Sequence, residues 1–63
     1  MQYGIKEARK RRGWSQELLA SMSGVSRATI SGLESGRKTI ATTETIRKLA
    51  KALDENIESI FFN

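Results

Sequence analysis

Residues 15–36 read SQELLASMSGVSRATISGLESG, and the order of caps, apolar positions and glycines in this stretch decides the fold. Ser15 and Ser26 each precede a helix-forming run, where a serine hydroxyl accepts a hydrogen bond from a first-turn N–H that has no other partner. Leu19 and Met22, then Ile30 and Leu33, recur at i and i+3 and are expected to face inward. Gly24 supplies a sharp turn and Val25 plugs it from within. The spacing predicts helices over about 16–22 and 27–34, with Gly36 closing the second. Two short helices joined this way cross steeply, which leaves the outer face of the second one free. Its outward residues are Arg27, Ala28, Ser31 and Gly32.

The flanks read as helix too. A first helix fits about 4–12, with Ile5 and Ala8 inward and the Arg12 stem lying along the same side. Gly13 stops it, and Trp14 follows as an apolar anchor between helices. Beyond Gly36 runs a polar, basic loop, Arg37 to Ala41. Thr42 or Thr43 then caps a fourth helix to about Leu53, with Ile46, Leu49, Ala50 and Leu53 at i, i+3, i+4 and i+7. Asn56 can cap a last short helix bearing Ile57, Ile60, Phe61 and Phe62. No strand-length alternation of β-branched residues interrupts this pattern, so the fold class is all-α, with five helices.

Sixty-three residues suffice for one domain, spanning 1–63, whose core is small for its surface. With no cysteine and no histidine, neither a disulfide nor a zinc site can supplement that core. Efficient helix packing or a partner subunit must do so. The same absences, together with carboxylates scattered over helix faces and no phosphate-cradling glycine loop, argue against an enzyme and against any cofactor or metal. No apolar run approaches a membrane span, and the N-terminus has no signal-peptide core. The chain reads as soluble and cytoplasmic.

Charge is unevenly placed. Residues 1–38 carry eight Lys/Arg against three Asp/Glu, a net of +5, whereas residues 39–63 carry three against four, a net of −1. That asymmetry gives the first half a surface suited to a polyanion. A helix the width of 27–34 fits the DNA major groove, where each base pair shows a distinct set of donors and acceptors.

The sequence at this point resembles the helix-turn-helix family of the lambdoid phage repressors and Cro proteins, also called the XRE family. The resembling pieces are Trp14-Ser15-Gln16-Glu17 with Leu19-Ala20, then Gly24-Val25-Ser26 with Thr29-Ile30-Ser31. Leu33-Glu34-Ser35-Gly36-Arg37 follows, and finally Ile46-Arg47-Lys48-Leu49-Ala50-Lys51-Ala52-Leu53. The resemblance covers nearly the whole chain, and these four pieces stand in order along it. The resemblance implies a compact five-helix lambda-repressor-like domain that regulates transcription, in the manner of a phage or prophage repressor or a restriction–modification controller.

The resemblance also assigns roles. Arg27, Ala28 and Gly32 match the base-reading positions, with Thr29 and Ser31 beside them. Gln16 matches a phosphate binder that can brace the recognition helix, and Gly36 to Lys38 match the loop that grips the backbone. Arg9 and Glu34 match an ion pair between the first and third helices. Two departures stand out: Gly32 replaces a longer side chain, and Leu18 replaces a polar one. Either DNA comes very close to Gly32, or specificity leans on Arg27, Thr29 and DNA shape.

Physical roles follow separately. Arg27 can bond guanine O6/N7 in bidentate fashion, and Ala28 can touch a thymine methyl or simply fill the helix. N–H groups at the helix start near Gln16 suit a phosphate oxygen, and Arg37 and Lys38 add affinity that falls as salt rises. Ser15 and Ser26 are caps first, with Ser26 also placed among the phosphate contacts. Only one side of the first helix can approach a backbone, so Lys6, Lys10 and Arg11 read mainly as solvated charge, with Arg11 kept as a candidate phosphate contact. Trp14 reads as core.

The partner expected is double-stranded DNA with a palindromic operator, bound by a homodimer; no membrane and no small-molecule ligand is expected. Ile60, Phe61 and Phe62 are the candidate dimer interface, because Phe62 is hard to bury in so small a monomer. Alternatively Phe62 folds back on the fourth helix. The competing class is an antitoxin or adaptor that uses the same fold mainly to bind a protein partner.

Overall fold

A computed structural model describes residues 4–38 and 40–61, the last of these by its backbone alone. Among them are five helices and no strand: α1 (Ile5–Arg11), α2 (Gln16–Ser23), α3 (Arg27–Ser35), α4 (Thr43–Leu53) and α5 (Ile57–Phe61). Three starts are capped by hydroxyls. Ser15 Oγ accepts from the Leu18 N–H at 3.0 Å, Ser26 Oγ from Thr29 at 3.2 Å, and Thr42 Oγ1 from Thr45 at 3.1 Å. Thr42, not Thr43, therefore opens α4. Each such cap contributes about 1 kcal/mol, a useful share in a domain this small.

The α2–α3 turn depends on Gly24, whose φ of 77° is left-handed. A side chain there would crowd the following carbonyl, which is why a glycine stands at this point. Gly24 N–H donates to the Ala20 carbonyl, ending α2, and Ser23 Oγ accepts from Val25 N–H at 3.1 Å as the chain turns into α3.

The core holds Ile5, Ala8, Leu19, Val25, Ile30, Leu33, Leu49, Ala50, Leu53 and Ile60. Trp14, Ile46 and Ile57 pack against it while partly exposed. α2 lies on α3 and α4, and α1 on α3, α4 and α5. The chain's two ends are tied by the Gly4 N–H, which donates to the Ile60 carbonyl at 2.6 Å. Burying a Leu or Ile side chain stabilises by roughly 1.5–3 kcal/mol, so the hydrophobic core is the main support of α3 from beneath.

One inward assignment is corrected. Met22 is 58 % exposed. The face of α2 turned inward runs through Gln16, Leu19, Ala20 and Ser23, a set at i, i+3, i+4 and i+7. Half-buried Ser23 ends the stripe at the turn, and Met22 falls outside it next to Leu18, itself 41 % exposed. The Arg12 stem is corrected too. Arg12 is exposed, and its guanidinium stands 5.6 Å from the Trp14 ring centroid, a cation–π distance.

Candidate nucleic-acid interface

α3 presents two unlike faces. Ile30 and Leu33 are buried beneath it, while Arg27 and Ala28 are exposed above and Ser31 is half-buried. Its start is held by a closed pair of hydroxyls: Ser26 Oγ accepts from the Thr29 N–H and donates to Thr29 Oγ1 at 2.8 Å. Ser26 and Thr29 thus spend much of their hydrogen-bonding capacity on the cap.

Arg27, Ala28, Ser31, Gly32, Arg37 and Lys38 line one open concavity. Arg27 Nε lies 3.9 Å from Glu17 Oε1, with both side chains largely exposed. That separation exceeds a hydrogen bond, and an exposed pair of this kind contributes little. Arg27 is therefore free to exchange Glu17 for another acceptor. Arg37 is drawn back over α3: its Nε donates to Ser35 Oγ at 3.0 Å and its Nη2 to Ser31 Oγ at 3.1 Å. Lys38 is drawn back as well, its N–H donating to the Gly32 carbonyl at 3.0 Å.

The far end of α3 is anchored by charge. Arg9 donates through Nε to Glu34 Oε2 at 2.8 Å and through Nη2 to Glu34 Oε1 at 2.9 Å, and its Nη1 reaches the Trp14 carbonyl at 2.8 Å. Gln16 Nε2 adds a bond to Glu34 Oε1 at 3.1 Å. The side chains of Arg9 and Glu34 are only 11 % and 4 % exposed. Burial by itself pushes the Glu34 carboxyl up, but the hydrogen bonds from Arg9 and Gln16, with the charges of Arg9 and Lys6, outweigh it and hold the group below its ordinary value. The Glu34 hydrogen bond raises Arg9 against the opposing effect of burial. One network thereby fixes α1, the start of α2 and the end of α3 relative to one another.

The structure gathers most of the expected residues. Arg27, Ala28, Ser31, Gly32, Arg37 and Lys38 share one concavity, and Ser31 connects it to a second one lined by Lys6, Arg9, Gln16, Glu34 and Ser35. Lys6 is the addition, and its position three residues before Arg9, one turn back on α1, was the available signal. Three expected site residues stand apart from the rest. Gly32 is buried, and a side chain added there would meet the Lys38 stem. Arg11 pairs with Glu55 at 3.4 Å, toward the α4–α5 junction and away from α3, because it lies about 140° round α1 from Lys6. Ile60 is 1 % exposed and belongs to the core, so its side chain is not offered to a partner. The Phe61 side chain and Phe62 lie outside the described residues.

Among the described residues no helix is long and apolar enough to cross a membrane, and no group of His, Cys, Asp or Glu could hold a metal ion.

A helix-turn-helix family model matches residues 5–60. The chain is also similar to the competence pilus inhibition repressor of Acinetobacter baylyi, with 37 % identity over 57 residues, 90 % of this chain and 51 % of that protein. The chain thus spans about half the length of this curated relative.

Proposed function

The chain belongs to the helix-turn-helix family of DNA-binding transcription regulators, and from that premise we propose that it represses transcription by occupying a palindromic operator as a homodimer. Residues 1–63 act as one DNA-binding module of the lambdoid-repressor type, and α3 lies in the major groove. The observation that carries this reading is the convergence of Arg27, Ala28, Ser31, Arg37 and Lys38 on one open face, above a helix fastened by Ile30, Leu33 and the Arg9–Glu34 pair. A base-reading surface needs rigid support beneath it and unsatisfied donors above it.

Within this reading Arg27 reads a guanine, and Ala28 lies against a thymine methyl. Thr29 and Ser31 flank them, and Ser31 also steadies Arg37. Gln16, Ser26, Arg37 and Lys6 position the module on phosphates; the first-turn N–H groups of α2 add to these. A single module of this size buries roughly 600–1,000 Å² on DNA. A two-fold pair doubles that area and reads half-sites about 34 Å apart. The relative that bears the word repressor in its name supports repression over activation. The runner-up, an adaptor or antitoxin that binds a protein, draws on the exposed Leu18 and Met22, one turn apart on α2.

In vitro selection from random duplexes, with sedimentation of the resulting complexes, tests the proposal. It predicts inverted half-sites one helical turn apart and two chains per duplex. Recovery of random duplexes only, or of unsymmetrical sites bound by one chain, would overturn it.

A further inference from the structure

Position 32 has no side chain, yet the space beside it is filled. A methyl carbon placed on Gly32 would stand 3.2 Å from Lys38 Cβ and 3.7 Å from Lys38 Cδ, tighter at Cβ than nine in ten real contacts of this kind. The Lys38 N–H is pinned to the Gly32 carbonyl at 3.0 Å, and Ser35 Oγ donates to the same carbonyl at 3.2 Å. The loop after Gly36, left-handed at φ 85°, thus folds back so that the Lys38 stem crosses α3 where a residue-32 side chain would emerge. Arg37 is held on the neighbouring strip by Ser31 and Ser35.

We propose that Lys38 substitutes for the missing side chain at position 32 and reads a base edge, with Gly32 as the positioning residue that makes room for it. This deepens the reading in which α3 enters the major groove and rests on it. A loop lysine that only gripped phosphate would need its stem directed off the helix. Here the stem passes over α3 beside Gly32, in the same concavity as Arg27, Ala28 and Ser31. Its ammonium donates only, so the partner must be an acceptor on the major-groove edge: guanine O6 or N7, or thymine O4. Gly32 is five residues beyond Arg27, roughly 7.5 Å along the helix axis. The base read by Lys38 is accordingly about two base-pair steps from the one read by Arg27.

The test uses the whole chain and a selected duplex, with each base pair replaced in turn and 7-deazaguanine placed at each guanine. The wild-type protein should discriminate at a given base pair in each half-site by about tenfold, and Lys38→Ala should erase that preference while leaving the one due to Arg27. Gly32→Ala should weaken the same preference, since its methyl asks the Lys38 stem to give by a few tenths of an ångström. Added to Lys38→Ala it should cause no further loss. Circular dichroism melting should show that both variants fold, as substitution of an exposed lysine and an added helical alanine allow. If Lys38→Ala weakens all duplexes equally, Lys38 is a phosphate contact and the inference is wrong, while major-groove reading by Arg27 stands. If the wild type prefers no base pair anywhere, both fail together.

Discussion

Arg9 on α1 and Glu34 at the end of α3 meet in a two-pronged ion pair, 2.8 and 2.9 Å, across twenty-five positions of sequence. Gln16 joins the same carboxylate from the start of α2. The pair is largely buried, so its worth lies less in net stabilisation than in what happens when one member is lost. With both present, α3 has one orientation relative to its neighbours. With one absent, a charge is left in a place water hardly reaches.

Glu34→Gln preserves shape but strips the charge that balances Arg9. It should cost about 3 kcal/mol, and a 63-residue domain holds only about 3–9 kcal/mol in total. Urea unfolding at neutral pH measures this directly. A loss below about 1 kcal/mol would show that Arg9 finds adequate compensation in the Trp14 carbonyl alone.

Acid should act through the same carboxylate. Glu34 is held below its ordinary value in the folded chain, so the unfolded chain takes up the proton first. The stabilisation from this group is complete above the unfolded value, about 4.3, and is lost as pH falls through the depressed folded value. Urea midpoints should drop steeply below about pH 4.3 in the wild type and less steeply in Glu34→Gln. Parallel slopes would place the acid sensitivity in another carboxylate.

Two apolar residues separate core from surface. Leu49 is fully buried and Met22 is 58 % exposed. Leu49→Ala should lose about 2–5 kcal/mol, and Met22→Ser should stay within about 0.5 kcal/mol of the wild type. A large loss for Met22→Ser in dilute protein would mean that this side chain is covered in solution, which would favour a protein partner or a second copy on α2.

Replacement of Arg27 by alanine should lower affinity for the selected site far more than for random duplex. One bidentate guanine contact discriminates by roughly 1–3 kcal/mol, so fluorescence anisotropy should report a selective loss of between about fivefold and a hundredfold or more. Melting temperature should hardly change, since the Glu17 contact is long and exposed. An equal loss on both duplexes would reduce Arg27 to a phosphate contact.

Much of this was legible along the chain because the signals are local. Ser15, Ser26 and Gly24 act through hydrogen bonds and backbone torsions a few residues away, and the α4 stripe at Leu49, Ala50 and Leu53 repeats with the helix period. The Arg9–Glu34 pair spans distant positions and was reached only through resemblance. The exposure of Met22 is not local information: an eight-residue helix offers two apolar stripes, and the neighbouring helices select the one through Leu19 and Ala20. The pairing of Arg11 with Glu55 is not readable from spacing, because α1 carries cations nearly all round and spacing cannot say which side meets α3. The return of Lys38 over Gly32 was illegible for a further reason: a loop path follows from the surface it lands on, and that surface exists only after α3 has formed.

The most direct measurement is methylation interference on the selected duplex. Dimethyl sulfate marks guanine N7 in the major groove and adenine N3 in the minor groove. With α3 in the major groove, N7 methylation should block binding at guanines in both half-sites, and Arg27→Ala should abolish the block at one guanine of each half. Interference from adenine N3 alone, or from neither position, would contradict the reading of base edges by α3.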